Sequence, residues 1–123
     1  MKSLELSCAE LKLALRLAWG VDTTADPDGW SPSNPAWGQC AVTALIVQDE
    51  LGGDLLRSSS PGGSHYWNRL PDGQELDLTR EQFSEAFVPE LIEIRDRHYV
   101  LSFEQTRRRY KLLRARFRLP IAA

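Results

Sequence analysis

The sequence predicts an α+β domain: one central helix on a small antiparallel sheet, flanked by an N-terminal and a C-terminal helix. Three observations carry this. Gly38 to Leu51 is apolar nearly all round and stops at Gly52-Gly53, the pattern of a buried helix. Ser64 to Leu70 and Glu75 to Thr79 are strand-like runs separated by Pro71-Asp72-Gly73-Gln74, a hairpin turn by composition. Helical periodicity marks both ends of the chain. At 123 residues the chain reads as one domain, residues 1–123, long enough to bury a core without staples.

Taken in order, Ser3 to Trp19 is the first helix, with Leu4, Cys8, Leu11, Leu15 and Ala18 on one face and Gly20 as the stop. Val21 to Trp37 is irregular, with breaker clusters at Asp26-Pro27-Asp28-Gly29 and Ser31-Pro32-Ser33-Asn34-Pro35. A loop of about 17 residues in so small a domain is usually functional or disordered. Its two large rings, Trp30 and Trp37, argue for packing, so the loop is expected to form one wall of a cleft. After the central helix, Asp54 to Ser58 is a first strand and Ser59 to Gly63 a loop. Thr79 and Gln82 have capping-box spacing for a short helix through Ala86. Leu91–Ile94 and His98–Leu101 are expected as short strands. Ser102 is expected to cap a last helix, Phe103 to Phe117, with Phe103, Tyr110, Leu113 and Phe117 in one stripe and basic residues elsewhere.

Composition excludes several classes. Hydrophobic residues are 42%, charged residues 26%, and the formal net charge is -2, ordinary values for a soluble globular protein. No stretch approaches the roughly 20 apolar residues of a membrane span, so no membrane role is expected. The Arg/Lys run of the last helix lacks an aromatic stacking platform beside it and reads as a solvated face; nucleic acid is not an expected partner. Two cysteines, Cys8 and Cys40, are too few for a disulfide framework, and the expected setting is reduced and cytoplasmic. Cys40, His65, Asp77 and His98 lack the paired short spacing of a zinc site. No metal or cofactor is expected.

The chemistry gathers between Trp37 and Thr79. Cys40 opens the central helix, His65 lies in one strand, and Asp77 lies on the returning strand beyond the turn. A thiol reacts as its thiolate. A helix N-terminus and a neighbouring imidazolium can bring a cysteine pKa from about 8.5 into or below the neutral range. The imidazole needs a group that fixes its tautomer, and Asp77 is within cross-strand reach. Cys40, His65 and Asp77 are therefore expected to form a triad. Acyl transfer also needs donors for the oxyanion. The candidates are the Cys40 backbone N–H, with the Trp37 indole ahead of the Gln39 amide as the second; Asn68 is a candidate to orient the imidazole. Trp30 and Trp67 are expected to line the substrate cleft.

The runs Cys40-Ala41-Val42-Thr43-Ala44-Leu45, Ser64-His65-Tyr66-Trp67-Asn68 and Glu75-Leu76-Asp77-Leu78-Thr79-Arg80-Glu81-Gln82-Phe83 resemble the small bacterial YunG-like family. More distantly, the same segments resemble the transglutaminase-like superfamily within the papain-like fold: a Cys opening a helix, a His-x-Trp-Asn strand and an Asp-x-Thr strand. That resemblance implies a minimal papain-like domain with Cys40 as nucleophile, His65 as general base and acid, and Asp77 as the orienting carboxylate. It also implies that Trp37 or Trp30 helps hold the oxyanion. The papain-type Gln-Gly-x-Cys-Gly-Ser-Cys signature is absent. The implied chemistry is thus thiol-dependent acyl transfer or amide hydrolysis on an unidentified acyl or amide substrate, peptide or small molecule. The alternative is a non-catalytic module that binds a ligand or protein in the same cleft.

Overall fold

A computed structural model describes residues 4–61, 63–83 and 87–117, with side chains from Cys8 onward. In chain order the elements are α1 (Leu4–Ala18), α2 (Cys40–Leu51), β1 (Asp54–Ser60), β2 (Gly63–Arg69), β3 (Glu75–Leu76), a 3-10 turn at Arg80–Gln82, β4 (Glu93–Arg95), α3 (Arg97–Leu101) and α4 (Glu104–Arg116). The strands form one antiparallel sheet in the order β3-β2-β1-β4. The architecture is α+β.

The all-round apolar character of α2 has a direct structural cause. Val42, Ile46 and Val47 join one core cluster with Leu11 and Leu15 of α1 and Leu113 of α4. Ala44 and Leu45 join a second cluster with Leu55 of β1 and Val100 of α3. A helix squeezed between two apolar layers has no polar face to keep. Burying each of its larger aliphatic side chains contributes about 1.5–3 kcal/mol.

The strands depart from expectation in three places. β1 and β2 run to Ser60 and from Gly63, with Ser58 opposite His65 and Ser60 opposite Gly63, so most of the expected 59–63 loop is ladder. The returning strand is shorter than expected: β3 pairs only Asn68 with Leu76 and Arg69 with Glu75. Leu91–Ile94 gives way to β4, which pairs with the far edge of β1.

His98–Leu101 is helical, not a strand. Its Tyr-Val-Leu run has strand propensity, but one helical turn drives Val100, 2% exposed, into the cluster on α2. Packing overrides so short a preference. Thr79 and Gln82 do not form a capping box: the Gln82 amide donates to Thr79 O (3.1 Å) and Oγ1 (3.2 Å). The expected continuation through 84–86 lies outside the described residues, as do Ser3 and the Leu4 side chain. The stripe on α4 holds for Leu113 and Phe117, both buried, whereas Phe103 is half exposed. No helix among the described residues is long and apolar enough to cross a membrane.

Candidate active site

Cys40 is the first residue of α2, and the preceding loop fixes where that helix begins. Gln39 is fully buried; its Oε1 accepts from Thr23 Oγ1 (2.9 Å) and its Nε2 donates to Gly20 O (3.0 Å). Thr24 Oγ1 donates to Trp37 O (2.6 Å), and Ala25 N to Gly38 O (2.9 Å). Gly38 sits at φ +72, and a Cβ there would lie 2.1 Å from Thr24 Oγ1. Only glycine fits this approach. Thr43 N donates to Gln39 O at 3.0 Å, so the N–H groups of Cys40, Ala41 and Val42 precede the first intrahelical donor and have no acceptor within the helix.

His65 enters from β2. Strand alternation puts it on one face with Trp67, and Asn68 on the other. The Asn68 side chain donates to Ala44 O (2.9 Å), which pins β2 to α2. Trp67 stacks on the imidazole at 5.5 Å with an interplanar angle of 17°. Phe83 and Phe87 meet its ring edge-on at 5.0 and 5.5 Å. His65 is 1% exposed. Its Nε2 lies 2.6 Å from Asp77 Oδ2. Asp77 follows directly after β3 and reaches His65 diagonally across the hairpin. Its Oδ1 accepts from Thr79 N (3.2 Å) and Thr79 Oγ1 (3.4 Å), which fixes the carboxylate on both sides.

Cys40, His65, Trp37, Gln82, Phe83 and Arg109 are among the residues lining a cleft of about 290 Å³. The Cys40 thiol donates to Ser64 O at 3.7 Å, and His65 Nδ1 is buried without a hydrogen bond. Burial by itself would lower the imidazole pKa. The bond to Asp77 and the interaction with Cys40 outweigh it and raise the pKa to about 9. His65 is therefore an imidazolium at neutral pH, with Asp77 on one nitrogen and the sulfur beside the ring. Nδ1, protonated in the imidazolium, has no hydrogen-bond partner among the described residues and is left as a donor.

The supporting residues are distributed differently from expectation. Trp37 lines the cleft, but its indole N–H donates to Asp26 Oδ2 (3.0 Å), so it is engaged and not aimed at a reacting oxygen. Gln39 holds the loop and Asn68 holds α2; neither orients the imidazole or serves the cleft. Trp30 donates to Pro35 O (2.9 Å) within its own loop and is not among the cleft-lining residues. Trp67 backs the imidazole and donates to Glu75 Oε1 (2.7 Å) outside the Cys40 cleft. His98 is exposed on α3.

Two residues of the site escaped the sequence reading. Gln82 Oε1 accepts from Gly38 N (3.3 Å), so Gln82 ties the segment after Asp77 to the turn before Cys40. Arg109 of α4 reaches the cleft. Its position four residues before the buried Leu113 was the available signal, since i and i+4 share a helix face.

A family model described as YunG protein matches residues 7–121. The chain belongs to the YunG family. A relative in Bacillus subtilis (strain 168), "Uncharacterized protein YunG", is 33% identical over 73 residues, 59% of this chain. The chain spans 60% of the length of that YunG relative. No solved structure matches.

Proposed function

We propose that this YunG-family chain is a thiol-dependent acyl transferase or amidohydrolase, with Cys40 as nucleophile, His65 as proton carrier and Asp77 as the orienting carboxylate. The observation that carries the reading is the buried imidazole hydrogen-bonded to Asp77 at 2.6 Å while sharing one cleft with a thiol at a helix N-terminus. A charged, oriented imidazolium in a dry wall has little structural use there and a clear chemical one. The same arrangement supports the likeness to transglutaminase-like and papain-like enzymes.

The steps follow from the groups. The reacting form is the ion pair, with the Cys40 sulfur as thiolate and His65 protonated on both nitrogens, and the thiolate attacks the acyl carbon. The tetrahedral oxyanion lies in front of the first turn of α2, where the Cys40 N–H is the nearest free donor by helix geometry. The carbon–nitrogen or carbon–oxygen bond then breaks, and the imidazolium gives its proton to the leaving group. Water or an amine attacks the thioester and loses a proton to His65, and the sulfur leaves as thiolate, which restores the ion pair. Asp77 keeps Nε2 protonated throughout, so Nδ1 is the nitrogen that works.

The second reading is a binding module without turnover. The observation on its side is that the thiol bonds Ser64 O and not Nδ1. The test that separates the two is an activated acyl ester, p-nitrophenyl acetate. The enzyme reading predicts a burst of nitrophenol equal to the protein present, an acetyl group on Cys40 by peptide mapping, and loss of both in Cys40→Ala. Release at the rate of free cysteine, unchanged in His65→Ala, would leave the module.

A further inference from the structure

We propose that Arg109 selects a carboxylate-bearing substrate, holding the carboxylate in the Cys40 cleft while the acyl carbon sits at the sulfur; this rests on the thiol chemistry proposed above. Arg109 lines the cleft from α4, across from the N-terminus of α2. Every other arginine of the α3–α4 region for which a side-chain contact is described answers to a fixed acceptor. Arg97 binds Asp49 (2.6 Å), Arg114 binds Glu50 (2.9 Å), Arg116 binds Asp22 (2.8 Å), and Arg107 donates to Leu101 O (3.0 Å).

Arg109 has no carboxylate among the described residues. Among the described residues its single hydrogen bond is a long one, 3.4 Å to Thr106 Oγ1, and its Nε is buried with no partner there. A half-buried guanidinium left this way carries a desolvation cost without compensation, and its planar fork matches a carboxylate. Burial pushes its pKa down and the Cys40 sulfur pushes it up, and both side chains line the cleft that a ligand would fill. Among the described residues the one carboxylate lining the cleft is Asp26, already engaged by Trp37 Nε1 (3.0 Å) and Gly29 N (3.3 Å). A volume of about 290 Å³ is near the lower limit of ligand sites, which suits a group of amino-acid size better than a folded surface.

The probe is a pair of alkylating reagents that differ in charge, iodoacetate and iodoacetamide. Both place a CH2 carbon at Cys40: the thiolate forms the S–C bond and iodide leaves. The ratio of their rates at Cys40 reads the preference for a carboxylate and cancels any common change in thiolate fraction. It is measured at about pH 9, where an ordinary thiol is already largely ionised, with peptide mapping to separate Cys40 from Cys8. Burial raises the Cys8 thiol, which keeps its background low. The iodoacetate-to-iodoacetamide ratio should fall about five- to tenfold in Arg109→Gln, the size of one partly screened charge pair, and hold within about twofold in Arg109→Lys. In the wild-type protein the ratio should also decline as salt rises. A ratio unmoved in Arg109→Gln, a loss as large in Arg109→Lys, or a wild-type ratio indifferent to salt would overturn the inference. Slow alkylation by both reagents at neutral pH counts against the thiol chemistry alone, because the ratio at pH 9 still reads Arg109.

Discussion

Replacing Asp77 by Asn keeps the shape of the hydrogen-bonding group and removes its charge. In the native protein the imidazole is held at a pKa of about 9 against burial, and Asp77 is the larger of the two groups that hold it there. Without that charge the pKa should return to the ordinary value near 6.5 or below it, since burial then has only Cys40 to oppose it. The change also has a stability signature. A group whose folded pKa exceeds its unfolded one stabilises the fold fully below the unfolded value, here near 6.5, and loses that contribution as pH rises through about 9. At about 1.4 kcal/mol per pKa unit the contribution is at most about 3.5 kcal/mol. Urea unfolding of wild type and Asp77→Asn should therefore differ most near pH 6 and converge towards pH 10, and imidazole resonances should follow the same titration. A stability difference equal at both pH values, or an imidazole that titrates near 6.5 in the wild type, would refute the charged pair.

Other outcomes follow from the same contacts. Cys40→Ala should abolish turnover of any acyl ester with a stability loss below about 1 kcal/mol, because the side chain is only partly buried; thermal melting checks it. Gln39→Ala should cost about 1–3 kcal/mol in urea unfolding, since it removes two hydrogen bonds of a fully buried side chain, from Thr23 Oγ1 and to Gly20 O. Gly38→Ala should cost about 2–4 kcal/mol, combining a positive φ with a Cβ that strikes the Thr24 hydroxyl. It should also slow Cys40 alkylation, because the start of α2 moves.

Much of the fold was legible because it rests on pattern. The two faces of α2 demand two apolar layers, and the chain supplies them in α1, α4 and the β1–α3 side. The order thiol, imidazole, carboxylate was legible for the same reason, since a helix start and a hairpin place residues predictably. What the sequence hid depends on long-range partners. The indole of Trp37 looks like a free donor until Asp26 is seen to accept from it. Gln39 and Asn68 look like site residues until their buried acceptors on Gly20 and Ala44 appear. Arg109 reads as one more charge in a basic run. Only Arg97, Arg107, Arg114 and Arg116, each bonded to an acid or a carbonyl, reveal it as the exception. The helical turn at 97–101 is not legible in the sequence because five residues are too few for periodicity to outweigh propensity.

The rate of iodoacetamide alkylation at Cys40 against pH, in the wild type and in His65→Ala, tests the centre of the account. A sulfur paired with the buried imidazolium should alkylate readily near pH 6 and lose this in His65→Ala. A wild-type protein that reacts only above about pH 8, and whose profile His65→Ala leaves unmoved, would contradict it.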